Sequence, residues 1–412
     1  MRGKWTVLGL LCATFAVYTV DRALLGPLAI PIQADTGISD VQFGILNAAV
    51  FWTYAAVVPF AGMVGDRMGR LLLIGVAAIA WSVMTVLVGF ANGFWSLFLL
   101  LSFAVTIPQT FYSPAAFALI AERHEKTRSL AMSCHQGAFY LGWLASGAIV
   151  AIVLSAFGSW RWAYYIFGVV GLVLGFVALV AGRFELNDGS VEVAKGQRET
   201  VSVGCSLRAF FCCPSAVLAA LGHVAFTSVC FGYTSWGPKF IAQKFSVSPG
   251  MAGTGVMFWH FAAALPAILV AGVVADRLVG RWPRFRLSVQ AVTLVAAAPA
   301  LALFGLSRSL AVIWLAAAVF GVMKGMFEAN SVNSLYDVIP SRFRSSAIGY
   351  LNVLSGILGS LAPVWLGWLS QTHGVEGLGW GFASLGTVLI LACGLMLVSI
   401  FFTFKRDWIR GR

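Results

Sequence analysis

Charge is what this chain has least of. Only 10% of its 412 residues are Asp, Glu, Lys or Arg, whereas a water-soluble domain of ordinary make-up carries about a quarter. With 60% hydrophobic residues and a mean hydropathy of +0.89, it has too little polar surface to cover a globular exterior, which excludes a water-soluble fold. Long polar stretches are almost missing as well. Cysteine is sparse: the seven are Cys12, Cys134, Cys205, Cys212, Cys213, Cys230 and Cys393. None has metal-ligand spacing, so no metal site and no cofactor is expected. All seven fall in predicted helices or on the reducing side of the membrane, which excludes a disulfide framework. Cys212-Cys213 are read as small buried thiols rather than acylation sites.

What is present is lipid-soluble. Apolar runs of about 20 residues, each long enough to cross roughly 30 Å of hydrocarbon as a helix, make this a multi-pass membrane protein. Turn and charge signals cut it into twelve spans, near 5–32, 41–64, 71–91, 95–121, 129–156, 161–182, 212–243, 250–274, 286–306, 309–337, 345–371 and 379–403. The first segment starts basic and turns apolar, but it is too long for a signal peptide and shows no small-residue cleavage site, so it is read as a retained helix. The one long polar stretch, residues 183–207, contains NDGSVEVAKGQRET. It reads as a cytoplasmic linker between an N-terminal bundle, 1–182, and a C-terminal bundle, 208–412.

The net charge of +12 raises the question of a nucleic-acid or anionic-lipid partner, and placement answers it. With a cytoplasmic N-terminus, 21 of the 27 Lys and Arg lie in cytoplasmic segments and four (Arg161, Lys239, Lys244, Arg308) on the opposite face. The remaining two, Arg22 and Lys324, fall inside the membrane. This positive-inside pattern puts both termini in the cytoplasm. The charge records topology, and no nucleic-acid partner is expected.

The two halves echo each other. After span 2 comes GMVGDRMGR, residues 62–70, and after span 8 comes GVVADRLVGR, residues 272–281. Asp66 and Asp276 lie 210 positions apart. Glu122 then Arg128 after span 4 answers Asp337 then Arg344 after span 10, and Arg128 and Arg344 lie 216 apart. A six-helix unit has been duplicated.

GMVGDRMGR resembles the loop 2–3 signature of the major facilitator superfamily, G-x-x-x-D-R-x-G-R. The resemblance implies an all-α membrane protein with twelve transmembrane helices in two pseudo-symmetric six-helix bundles, acting as a monomer by alternating access. It also implies that Gly62, Asp66, Arg67, Gly69, Arg70, Glu122 and Arg128, with Asp276, Arg277, Arg281, Asp337 and Arg344, form a cytoplasmic gate latching the halves. Physically, Gly62 permits close helix approach, Gly69 a tight turn, and Asp66 can meet a helix dipole or Arg128. The plainer alternative is that these charges only fix topology.

Inside the membrane, the charges placed at depth are Asp21 and Arg22 in TVDRALLG and Lys324 and Glu328 in GVMKGMFEAN. Each central charge costs roughly 2.5–3.5 kcal/mol, so four left unpaired would cost on the order of 10 kcal/mol. They must face water or each other. Lys324 and Glu328 are spaced i, i+4 and share a helix face, whereas Asp21 and Arg22 point about 100° apart. Structural ion pairs are the plainer alternative. In the superfamily, helices 1, 4, 7 and 10 line the central cavity. The Asp-Arg of helix 1 resembles that of the anion:cation symporter branch, where the Arg contacts a substrate carboxylate and the Asp takes part in proton coupling. Spinster-like transporters also show this pair, and YSPAAFALIAE, residues 112–122, resembles their helix 4. The chain departs from the anion symporters in lacking an Arg or Glu in helix 4, where it offers Gln109, Thr110 and Tyr112. Lys324 and Glu328 stand in for them.

Electrostatics gives a mechanism. An anion that engages Arg22 or Lys324 withdraws the cation's support from the neighbouring carboxylate, which then takes a proton, so anion and proton bind with positive coupling. Asp21 and Glu328 are therefore the expected proton sites, and Arg22, Lys324, Gln109, Tyr112, Tyr233 and Asn330 the expected substrate contacts. Gly237-Pro238 is expected to break the helix as a hinge or to end it. His135, His223 and His260 read as packing residues. Helix 5 lacks the Gly-Pro of many drug antiporters. The expected activity is proton-coupled symport of a small organic anion, a carboxylate or sugar acid, across a bacterial inner membrane. The alternatives are a Spinster-like carrier of a lysolipid or other amphiphile, and a proton-coupled exporter. No nucleophile–base motif is present to suggest an enzyme.

Overall fold

A computed structural model describes residues 3–65, 69–187 and 203–408. Asp66, Arg67 and residues 188–202 of the linker lie outside the described residues. Within them every regular element is helical. Eleven stretches are long and apolar enough to cross a membrane: Lys4–Ala23, Asp40–Ala61, Arg70–Val88, Phe94–Arg123, Leu130–Phe157, Arg161–Phe184, Pro214–Phe245, Pro249–Leu278, Phe285–Leu306, Leu310–Tyr336 and Ser346–Asp407. The last is two spans run together across Gly374, whose backbone (φ 60°, ψ −143°) is not helical and is open to glycine at no steric cost. Twelve spans result, as the hydropathy pattern predicts.

Two details differ from the sequence reading. The first span is not one helix over 5–32 but Lys4–Ala23 followed by Ala29–Thr36, with a turn across Leu24–Leu28. Pro27 has no amide hydrogen and biases Gly26 away from the helical region, so Asp21 and Arg22 fall in the last helical turn before a break. Pro238, by contrast, neither breaks nor ends its helix, which runs on to Phe245. Pro59, Pro266 and Pro299 also lie within helices, as membrane helices tolerate when neighbours satisfy the freed carbonyl.

The chain forms two compact units, Met1–Gln197 with Ser246–Met257, and Arg198–Phe245 with Phe258–Arg412. In the first, the third span packs along the sixth and the first along the fifth. In the second, the ninth span packs along the twelfth and the seventh along the eleventh, so the pairing repeats. Close approach needs glycine in both units. A Cβ on Gly75 would strike the backbone of Leu179, and one on Gly305 the carbonyl of Gly379. Small residues of this kind let membrane helices gain contact where no hydrophobic drive exists between them.

The end of the first unit that holds Asp35 and Trp160 is clamped by polar groups. Asp35 accepts from the Trp160 indole at 3.0 Å and pairs with Arg161, whose guanidinium also reaches the Ala91 carbonyl at 3.1 Å and Asn92 Oδ1 at 2.9 Å. The indole hydrogen bond, then the guanidinium, hold the Asp35 carboxyl below its ordinary value. A lowered folded-state value stabilises the fold above the unfolded value and loses that contribution as pH falls through the folded one. Asp35→Asn is therefore expected to lower the melting temperature in detergent at pH 7 by a few degrees. The gap to wild type should close as pH falls through the lowered folded-state value, which melting curves across pH will check.

Candidate functional site

Asp21 and Arg22 leave the same helical turn in different directions, as their 100° separation requires. Asp21 is buried. Its Oδ2 accepts from Thr85 Oγ1 of the third span at 3.3 Å, and its Oδ1 has no hydrogen-bond partner among the described residues. The buried hydroxyl of Tyr164, on the sixth span, interacts electrostatically with Asp21 and is likewise without a hydrogen bond.

Arg22 turns towards the second span. Its Nη1 donates to Tyr18 Oη at 2.7 Å, and its guanidinium carbon lies 5.7, 5.6 and 5.2 Å from the ring centroids of Tyr18, Phe51 and Tyr54. The three rings form a cage that holds a cation without neutralising it. Arg22 is half-buried, makes no ion pair among the described residues, and sits at the C-terminal end of its helix, where the dipole favours positive charge. The cage is braced from behind. Tyr18 stacks on Tyr112 at 5.7 Å and meets Trp81 edge-on at 5.9 Å. Tyr112, fully buried, donates to the Leu11 carbonyl at 2.7 Å and meets His135 Nε2 at 3.0 Å. Gln109 is also buried, with no partner for its Nε2 among the described residues.

In the second unit Lys324 and Glu328 pair along the tenth span as their spacing predicts, with Lys324 buried, its ammonium 5.6 Å from the Phe261 ring, and Glu328 about a third exposed. His223 of the seventh span joins them. Its Nδ1 lies 2.5 Å from Ser331 Oγ, and its ring interacts electrostatically with both Glu328 and Lys324. The structure thus gathers a base, an acid, a cation and a hydroxyl from two spans. Tyr233 is buried among His260, Phe304 and Phe320, with ring centroids at 4.8, 4.9 and 5.1 Å. Asn330 is buried, with its Nδ2 on the Met326 carbonyl.

Of the residues expected at a gate, Gly62 lies in the helix of the second span and Gly69 caps that of the third. Arg70 pairs with Glu122. In the second unit the matching partner of Asp337 is Arg286, which donates to its two oxygens at 2.8 and 3.1 Å and reaches Asp276 at 3.4 Å. Arg128, Arg277 and Arg281 are exposed, while Arg344 donates to the Tyr336 carbonyl at 3.0 Å.

Sequence reasoning passed over Arg286 and the aromatic cage, and it read His223 as a packing residue where the structure sets it beside Ser331. Arg286 lies 216 positions beyond Arg70, the offset that also joins Arg128 to Arg344, so its signal was in the repeat.

The repeated Arg–acid clasp in both units, on a twelve-span helical chain, is a family's architecture, and the comparisons agree. The profile of the Major Facilitator Superfamily matches residues 10–363 and 238–407. The chain belongs to this superfamily of membrane transporters. It is 27% identical to an MFS-type efflux pump of Mycolicibacterium smegmatis, over 96% of this chain and 90% of that one. It is 23% identical to the D-galactonate transporter of Escherichia coli O6:H1, over 90% of each. Among solved structures it superposes on a bacterial homologue of the human lysosomal transporter Spinster, in an inward-facing and unoccupied conformation. That match has a TM-score of 0.84 at 20% identity and covers all of both chains, a likeness of fold. This transporter is thus a multi-pass integral membrane protein with a small-molecule cargo.

Proposed function

We propose that this transporter couples the movement of a small organic anion, a carboxylate or sugar acid, to protons by alternating access. The observation that carries the proposal is Arg22, a guanidinium held in an aromatic cage with no acidic partner among the described residues. A cation kept unneutralised at membrane depth is costly unless it serves a ligand, and its planar fork suits a carboxylate. Lys324 supplies a second cation, released when Glu328 or the adjoining His223 takes a proton. Asp21, buried next in sequence to Arg22, is the proposed proton site of the first unit, and Glu328 that of the second. Tyr112, Gln109, Tyr233 and Asn330 stand behind these groups. The moving bodies are proposed as residues 1–182 and 208–412, joined by 183–207, and the charged clasps as a gate on the cytoplasmic side. The loop distribution of Lys and Arg supports a plasma-membrane protein with both termini in the cytoplasm, and the D-galactonate transporter among its relatives supports a sugar-acid cargo.

Export is the second reading, favoured by the efflux pump among those relatives. Counterflow in proteoliposomes tests cargo without presuming direction. Labelled sugar acids are expected to exchange saturably and to be competed by other carboxylates but not by neutral sugars. Absence of exchange for every acid, with transfer of lysolipid instead, would overturn the reading.

A further inference from the structure

The second unit carries a cavity of about 370 Å3 away from the charged residues, of a size that holds a small ligand. Its walls come from the eighth, ninth and tenth spans and are apolar save for Asn330, with Pro266, Ala267 and Val270 on one side, Phe285 on another and Met326 on the third. Val270 is 62% exposed, so the cavity opens sideways, towards the hydrocarbon that surrounds a membrane helix.

One end of this groove is basic. On the eighth span Ala267, Val270 and Val274 line it, and Arg277 continues the same stripe one turn further on. Arg281 and Arg284 follow in the connection to the ninth span, where Phe285 closes the groove. Arg277 and Arg281 are exposed, Arg284 is half-exposed, and none of the three has an ion pair among the described residues. The nearby acids are engaged elsewhere, since Asp276 and Asp337 share Arg286. Trp282, 50% exposed and edge-on to Phe285 at 5.6 Å, marks the headgroup level, where indoles collect.

We propose that this groove is a binding site for an anionic glycerophospholipid, with an acyl chain along Ala267, Val270 and Val274 and the phosphate among Arg277, Arg281 and Arg284. The charge of the mouth and the apolarity of the walls select a ligand with both features. Basic pockets between membrane helices are suited to such headgroups. The site holds none of the four membrane charges, shares only Asn330 with the proposed transport groups, and does not depend on which cargo is carried.

The test measures lipid retention by native mass spectrometry and thermal stability in detergent, with added phosphatidylglycerol or phosphatidylcholine of the same chains. Phosphatidylglycerol is expected to bind saturably and to raise the melting temperature more than phosphatidylcholine. Each of Arg277→Gln, Arg281→Gln and Arg284→Gln should weaken binding about fivefold, near 1 kcal/mol per surface cation. Val270→Trp, at an exposed position, should fill the groove and weaken both lipids. Equal retention of the two lipids, or indifference to all four substitutions, would overturn the site. So would stabilisation by soluble glycerol phosphate as strong as by the lipid, because the groove would then contribute nothing.

Discussion

Arg22→Ala is expected to reduce anion transport about 10- to 150-fold, mostly through a weaker substrate affinity. The range is the 1.5–3 kcal/mol of a hydrogen bond to a charged group. The cage sets why the cation cannot be swapped freely. Tyr18, Phe51 and Tyr54 lie around the flat guanidinium, and one of its nitrogens is already fixed on Tyr18 Oη at 2.7 Å, which leaves its other donors for a ligand. A lysine carries the charge but neither the plane nor the fork, so Arg22→Lys should recover only a small part of the loss. Substrate-dependent counterflow at several concentrations separates the two effects. If Arg22→Lys transports like wild type, the geometry of the cage is irrelevant. If Arg22→Ala does, Arg22 is not a substrate contact.

The second large effect is a separation of two activities by one substitution. Asp21→Asn keeps the size of the side chain, and its amide can still accept from Thr85, but it no longer takes up or gives off a proton. Exchange of labelled anion across the membrane needs no net proton movement and should persist. Accumulation driven by a proton gradient needs it and should vanish. A structural role for Asp21 predicts a different pattern, in which both activities fall together with protein yield and melting temperature. The surroundings favour the first pattern. Thr85 gives Asp21 one neutral hydrogen bond, Arg22 faces the second span instead, and no ion pair among the described residues is broken by the change.

Much of this was legible from one sequence. Hydropathy with turn and charge signals gives twelve spans, because lipid demands a long apolar helix at each crossing. The i, i+4 spacing of Lys324 and Glu328 gives their pairing, since both lie on one helix. The same reasoning shows that Asp21 and Arg22 cannot face each other. What it could not give is non-local. Phe51 and Tyr54 come to Arg22 from another span, and His223 comes to Ser331 across more than a hundred residues. Phe51 and Tyr54 look like ordinary aromatics in an aromatic-rich chain, so periodicity cannot single them out.

Arg286 shows a different failure. Matching GMVGDRMGR to GVVADRLVGR with one residue inserted pairs Arg70 with Arg281, but the second copy has gained further residues before its helix begins at Phe285. The arginine that reaches the acid is the one at the start of the helix, not the one nearest the aspartate in sequence. Pro27 was visible too. Its effect was missed because an unbroken apolar run reads as one helix, and only backbone geometry shows that the chain turns after Ala23.

The central claim is that a proton travels with the anion through Asp21, and external pH reads this directly. Lightly buffered proteoliposomes holding wild type or Asp21→Asn would receive a panel of carboxylates and sugar acids, with the external pH recorded. Alkalinisation on addition of one class of acid, absent in Asp21→Asn while labelled exchange continues, is the predicted result. No pH change with any acid in wild type, or the same change in Asp21→Asn, would contradict it.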